Sequence, residues 1–261
     1  FLLAAIIILP FIYKKIWIAK ADFFKMLYLA FVGITLNITF FFLGLRLTTS
    51  INVPIINAAA PIFLIFGSVW YLHEKIKLKV LIGTLLSMIG LLIIILEPLL
   101  STGPDGSIVG NLLVLLSVLS AVIYTLLLKK FRLPYPALTI VFWTFFLGSL
   151  FFLPAFLSEA LILHPFAHMN SRSFIGIGFG AIFSSALAYF LYNFGVEYID
   201  GAEIGIFYYL EPIATILVAL PLLGEKITLL YILGSIIVLI GIFIAEAHIH
   251  YHPHLLSKKP N

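Results

Sequence analysis

The stretch 44-GLRLTTSINVPIINAAAPIFLIFGSVWYLHEKIKLKVLIGTLLSMIGLLI-93 returns 151 residues later as 195-GVEYIDGAEIGIFYYLEPIATILVALPLLGEKITLLYILGSIIVLIGIFI-244. Gly44–Leu91 aligns with Gly195–Ile242 without a gap, and 13 of the 48 positions are identical. The identities include Gly44/Gly195, Pro61/Pro212, Glu74-Lys75-Ile76/Glu225-Lys226-Ile227, Gly83/Gly234 and Gly90/Gly241. Such agreement marks a diverged internal duplication, which in a chain this hydrophobic points to a carrier architecture.

Composition sets the solvent. Of the 261 residues, 63% are hydrophobic and only 10% charged, against about 25% charged in an ordinary soluble domain. The uncharged blocks 26–45, 47–72, 106–128, 133–158, 173–196 and 227–245 are long enough to cross a hydrocarbon core as helices. They show no period-two alternation, which excludes a transmembrane barrel. The fold class is therefore all-α, a polytopic membrane helical bundle. Zero cysteines exclude disulfides and thiolate chemistry. No Walker-type loop, nucleophile elbow or zinc-protease histidine pair is present, so neither an ATP-driven pump nor a hydrolase is supported. No cofactor, metal site or nucleic-acid partner is expected.

Helices are expected at 1–13, 24–43, 51–72, 78–97, 108–128, 136–157, 173–194, 202–222 and 228–247. Assigning the loops alternately to two sides places twelve Lys and Arg residues on one side and only Arg46, Arg172 and Lys226 on the other. The positive-inside rule makes the lysine-rich side, with the C-terminus, cytoplasmic in a multi-pass protein of the cell membrane. Helices 51–72 and 202–222 are repeat equivalents five helices apart, so the second copy crosses in the opposite sense. The repeat is inverted, an arrangement that supplies a carrier with two related conformations. Its parts are 1–98 as the first repeat, 99–107 as an outer linker, 108–247 as the second repeat and 248–261 as a histidine-rich tail. Four helices stand in the first repeat against five in the second, so a first helix is expected upstream of Phe1.

On these residues the chain resembles the drug/metabolite transporter superfamily, and within it the EamA-type members with two five-helix repeats. Each copy carries a small-residue helix start, a mid-helix proline, a Glu-Lys turn and a helix with paired glycines. The resemblance implies a ten-helix bundle with a cavity between the repeats, small metabolites as substrates, and export as the usual direction. The departures are the absent first helix and His73, where the second copy has Gly224.

Glu211 stands near the middle of helix 202–222, where an ionised carboxylate costs roughly 2.5 kcal/mol or more unless it faces a cavity or partner. It is read as a substrate contact or a proton-coupling group, the alternative being a structural carboxylate at a helix contact. Its repeat counterpart is Ala60. Pro61 and Pro212 each free a carbonyl four residues earlier, on Asn57 and Tyr208, and matched interruptions point to a midplane site and gate. The bland alternative is a packing kink. Asn37, Asn57, Tyr124, Trp143, Tyr189 and Tyr208 complete the candidate lining, by hydrogen bonding, stacking or cation–π contact. Packing explains any single aromatic equally well.

Several motifs read as structural. Gly83, Gly90, Gly234 and Gly241 are contact glycines, within the bundle or in a homodimer. Gly176, Gly180, Ser184 and Ala188 form a small-residue packing stripe. Glu74 and Glu225 are expected to cap the helix that follows each turn. Glu197, Asp200 and Glu203 are read as solvated loop charge. The tail 248-HIHYHPH-254 is taken as solvated, as are His164 and His168.

The sequence therefore favours a secondary active transporter of small metabolites, amino acids or drug-like solutes among them. It works by alternating access, with the lipid bilayer as its medium and protons as the candidate coupling ion. A nucleotide-sugar or lipid-linked sugar carrier is the alternative, although every Lys and Arg lies near a helix end or loop. An intramembrane enzyme is the second alternative.

Overall fold

A computed structural model of the chain describes residues 1–48, 52–57, 59–102, 108–163, 169–210, 213–214 and 229–246. Glu211, Pro212, Glu225, the linker segment 103–107, His164, His168 and the tail from 248 onward lie outside the described residues.

The described chain is helical. It runs α1 (Leu2–Ile12), α2 (Lys20–Ala30), a π-helical turn (Phe31–Leu36) leading into α3 (Asn37–Leu47), α4 (Asn52–Asn57), α5 (Ala60–Trp70), α6 (Leu78–Thr102) and α7 (Ile108–Phe131). It continues with α8 (Ala137–Leu163), α9 (Ser171–Phe179), a second π-helical turn (Gly180–Leu187) leading into α10 (Ala188–Val196), α11 (Gly201–Phe207), a 3₁₀ turn (Tyr208–Leu210) and α12 (Leu229–Glu246). Among the described residues, four continuous helical stretches are long and apolar enough to cross a membrane: Lys20–Leu47, Ile108–Phe131, Ala137–Ile162 and Ser171–Val196. The backbone polar groups of such spans have to be satisfied within the segment, which is why helix is the available choice.

The chain divides into two compact units, Phe1–Thr39 with Leu127–Glu197, and Phe40–Leu126 with Tyr198–Asn261. Neither is a repeat. Each collects equivalent helices from both. In the first unit α1 packs on α8, α1 also packs on the second π turn, and α8 packs on the first π turn. Ala4, Ala5, Ile8 and Ile12 of α1 are buried with Ile34, Val141, Phe142, Phe145 and Ala186. Apolar surface gives little driving force between helices already in lipid, so close contact has to come from shape. Ala4 and Ala5, wholly buried, keep the packed face of α1 narrow. The two π turns also correspond: adding 151 to 31–36 gives 182–187, inside the second turn. Widened turns of this kind bend a helix and are frequent at functional positions.

In the second unit α6 packs along α12, and α5 along α11. A Cβ added at Gly83 would stand 2.5 Å from the Gly241 carbonyl oxygen, and one at Gly90 2.6 Å from that of Gly234. Between these points Ser87 Oγ donates to the Val238 carbonyl at 3.1 Å. As the number on α6 rises, that on α12 falls, so the helices are antiparallel. The repeat shift converts the pair 83/241 into 234/90 and converts 87/238 into itself. A local two-fold axis therefore passes through the Ser87–Val238 contact. Two copies of one helix crossing in opposite senses is the geometry an inverted repeat requires.

The helix expected over 51–72 is interrupted. α4 ends at Asn57 and α5 starts at Ala60, with the Ala59 amide bonded to Ile56 O at 3.1 Å in a tightened turn. Pro61 sits in the first turn of α5, where its missing N–H leaves no donor unsatisfied. In the second repeat the backbone tightens into the 3₁₀ turn at 208–210, and a shift of 151 carries Ala59 onto its last residue, Leu210.

Candidate functional site

The candidate lining residues divide between the units. Asn37, Trp143 and Tyr189 belong to the first, Asn57, Tyr124 and Tyr208 to the second. In the first unit the Trp143 indole N–H donates to Ile16 O at 2.8 Å, and its ring meets Phe23, Phe142 and Phe146 nearly edge-on. Tyr189 stands edge-on to Phe145 at 4.9 Å, and Phe145 also touches Phe1 at 5.1 Å. These contacts make Trp143 and Tyr189 part of the aromatic packing around α8. Asn37 follows the first π turn and is half-buried. In the second unit Tyr124 is buried, whereas Asn57 and Tyr208 are half-buried where the two helices leave α geometry.

Pro61 packs against Gly205. A Cβ at Gly205 would stand 2.8 Å from the Pro61 Cα. The absence of a side chain on α11 thus lets it close on the turn at which α5 begins. Tyr209, which the sequence reading passed over, is fully buried nearby in the chain. Its hydroxyl, with Ser68 Oγ and Thr84 Oγ1, has no hydrogen-bond partner among the described residues. A buried donor left unmade costs about 1–3 kcal/mol, so these three hydroxyls are the unit's unsatisfied polar groups. An aromatic residue in an apolar helix carries no sequence signal for such a role.

The Glu-Lys turn also reaches across the duplication. Glu74 Oε2 accepts the Gly201 N–H at 3.0 Å, at the start of α11 in the other repeat. A carboxylate there meets the positive end of the helix dipole and one of its orphan amides. Gly201 is required by crowding, because an added Cβ would collide with Ser68 Oγ. Glu203, by contrast with expectation, is not a solvated loop charge. It is 8% exposed, accepts Lys77 Nζ at 2.9 Å through Oε1, and accepts the Asp200 N–H at 3.3 Å through Oε2. The hydrogen bond to Glu203 holds the Lys77 ammonium above its ordinary pKa. The repeat could not reveal this pair, since the positions equivalent to Lys77 and Glu203 are Thr228 and Asn52.

The small-residue stripe also differs. Gly176 and Gly180 face nothing within 4 Å. Gly44 packs against Gly110 and Val114 of α7, whereas its repeat counterpart Gly195 meets nothing within 4 Å. By contrast, the paired glycines of α6 and α12 lie inside a helix contact of the second unit.

Known proteins share this organisation. The chain is 28% identical over 255 residues to an uncharacterised transporter of Archaeoglobus fulgidus, covering 96% of this chain and 86% of the relative. It is 28% identical over 249 residues to the uncharacterised transporter YetK of Bacillus subtilis, covering 94% and 75%. A solved crystal structure superposes with a TM-score of 0.73 at 12% identity, over 99% of this chain and 86% of that one, a likeness of fold. The model of the EamA-like transporter family matches residues 1–96 and 108–246, on either side of the linker that separates the duplicated halves. The chain, a helical membrane bundle carrying a duplicated unit, belongs to the EamA-like transporter family, within the drug/metabolite transporter superfamily.

Proposed function

We propose that this transporter is a secondary active exporter of small neutral or cationic metabolites, amino acids and drug-like amines among them, and that it works by alternating access. The observation that carries the reading is the exchange symmetry within each compact unit. α6 and α12 cross on a two-fold axis, and α1 and α8 contact each other's partner π turns. A chain whose halves can trade roles has two conformations of similar energy, open to opposite sides. The π turns, and the break at Ala59 opposite the 3₁₀ turn at 208–210, supply matched places for bending. The lysine-rich loops face the cytoplasm in this reading, and the substrate path lies at membrane mid-depth.

Glu211 is the coupling or substrate-binding group, because a carboxylate at that sequence position needs a cavity or a cation. No Lys or Arg stands at a helix centre to receive a phosphate, which disfavours a sugar-phosphate carrier. The test is proton-gradient-driven uptake of a panel of amino acids and cationic dyes into reconstituted vesicles. Glu211→Gln should lower uptake at least about tenfold, the effect of losing a group worth 1.4 kcal/mol or more. Wild-type uptake by a monodisperse Glu211→Gln protein would reject the assignment. Absence of gradient-driven uptake of any panel member by the wild type would reject the proposed exporter class.

A further inference from the structure

Two loops of the first unit form a basic surface that the transport reading does not use. The α1–α2 connection, 13-YKKIWIA-19, carries Lys14 and Lys15, followed by Lys20 at the start of α2. The α7–α8 connection carries Arg132. All four cations are exposed, and none forms an ion pair among the described residues. Asp22, in the first turn of α2, is bonded to Lys25 at 2.7 Å and to the Tyr135 hydroxyl at 2.9 Å. Between the lysines stands Trp17, 86% exposed, next to Ile16 and Ile18.

This connection is tied along its length to α8 and to the loop before it. Thr139 Oγ1 donates to Lys15 O at 3.2 Å, Trp143 Nε1 to Ile16 O at 2.8 Å, and the Ala19 N–H to the Tyr135 hydroxyl at 2.9 Å. The backbone is therefore ordered before anything binds, and little further entropy is lost on binding. An indole wholly exposed to water is unfavourable, but one at the level of lipid headgroups is favourable, with its apolar body in the boundary and its N–H in the polar layer. Both loops join apolar helices, which places them at the membrane boundary.

Arg132 adds a separate sign. Its φ is +43°, in the left-handed region that favours glycine, at the residue just after α7. Its exposed side chain adds a guanidinium to the same pair of loops.

We propose that Lys14, Lys15, Lys20 and Arg132, with Trp17 seated among them, form a docking surface for the phosphate headgroups of anionic phospholipid. Each cation next to such a surface contributes about a fivefold preference for anionic over zwitterionic lipid. This surface concerns the lipid around the protein and stands whether or not the transport reading holds.

The test uses the whole protein in phosphatidylcholine nanodiscs holding a minor fraction of brominated lipid, with Trp17 emission isolated as the difference between wild type and Trp17→Phe. Brominated phosphatidylglycerol should quench that emission several-fold more than the same fraction of brominated phosphatidylcholine. The combined Lys14→Gln, Lys15→Gln, Lys20→Gln and Arg132→Gln protein should lose the difference. Arg132→Gly, which suits the backbone, should weaken it while raising the melting temperature in detergent. Equal quenching by the two lipids would overturn the proposal, as would the same loss on neutralising Lys75 and Lys79. Tight, charge-dependent binding of soluble polyglutamate in pure phosphatidylcholine discs, without phosphatidylglycerol-selective quenching, would replace lipid by an acidic protein segment.

Discussion

Gly83→Ala tests the two-fold axis directly. The new Cβ would stand 2.5 Å from the Gly241 carbonyl oxygen, 2.7 Å from the Ala245 Cβ and 3.0 Å from its amide nitrogen. The carbonyl belongs to a helix backbone and cannot swing aside. Restoring ordinary contact means parting α6 and α12 by about 0.9 Å, enough to forfeit a quarter to a half of the dispersion attraction along the seam. The same parting would stretch the Ser87–Val238 bond from 3.1 Å to about 4 Å, beyond hydrogen-bond range. Overpacking costs about 1–3 kcal/mol, and an interhelical bond in lipid about 0.6. Alanine returns about 0.8–1.0 through helix propensity. The net expectation is a loss of about 1–2.5 kcal/mol, read as a lowered unfolding midpoint in denaturant titrations in detergent. Gly90→Ala should match it, because Gly234 O and Val238 N crowd that site equally. Gly176→Ala and Gly180→Ala are the controls: nothing lies within 4 Å, so both should be neutral or slightly stabilising. If the seam variants behave like the controls, the antiparallel contact described here is wrong.

Lys77→Gln should destabilise by about 1–2 kcal/mol by leaving Glu203 bonded to an amide alone. That is less than the 3–5 kcal/mol of a fully buried pair, because the Lys77 side chain is 47% exposed. The Lys77 pKa is raised on folding, so the pair's contribution is complete below the usual lysine value of 10.5 and lost as pH rises beyond it. The gap between wild type and Lys77→Gln should therefore stay constant in thermal melts from about pH 7 to 9; a gap that closes within that window would refute the pairing. His73 has a φ of +56°, and its repeat counterpart is Gly224. His73→Gly should relieve about 1–2 kcal/mol of left-handed strain against roughly 0.5–1 of added unfolded-state entropy, raising the melting temperature slightly. His73→Ala should not, and an equal rise in both would remove the backbone as the cause.

The features that one residue type enforces were readable in the sequence. Glycines at 83, 90 and 241 and the proline at 61 carry their consequences with them, because each acts through its own backbone. The family followed from those markers, and the antiparallel contact of α6 and α12 falls on their glycines. The π turns had no such marker. Neither 31-FVGITL-36 nor 180-GAIFSSAL-187 holds a proline, and the wider hydrogen bonding is seen only with α1 and α8 packed on them. The long-range contacts of Glu74 and Glu203 were not legible for a related reason. Their partners lie 127 and 126 residues away, and nothing local in either motif records which helix end folds back onto it. The units themselves cut across the repeats, since helices equivalent by duplication meet each other rather than their sequence neighbours.

The axis through Ser87 and Val238 gives substitutions in this chain a parity. In the alternating-access cycle proposed above, each position has its image 151 residues away and no residue is its own image, so a change at Ser87 has its image at Val238. A change at Gly83 has its image at Gly234, so made alone it favours one arrangement over the other, and made at both positions it restores the balance. In that proposed cycle, divergence between the copies is what would set the resting state. Glu211 opposite Ala60, His73 opposite Gly224 and Lys77 opposite Thr228 are the odd terms, the places where its two directions would cease to be equal.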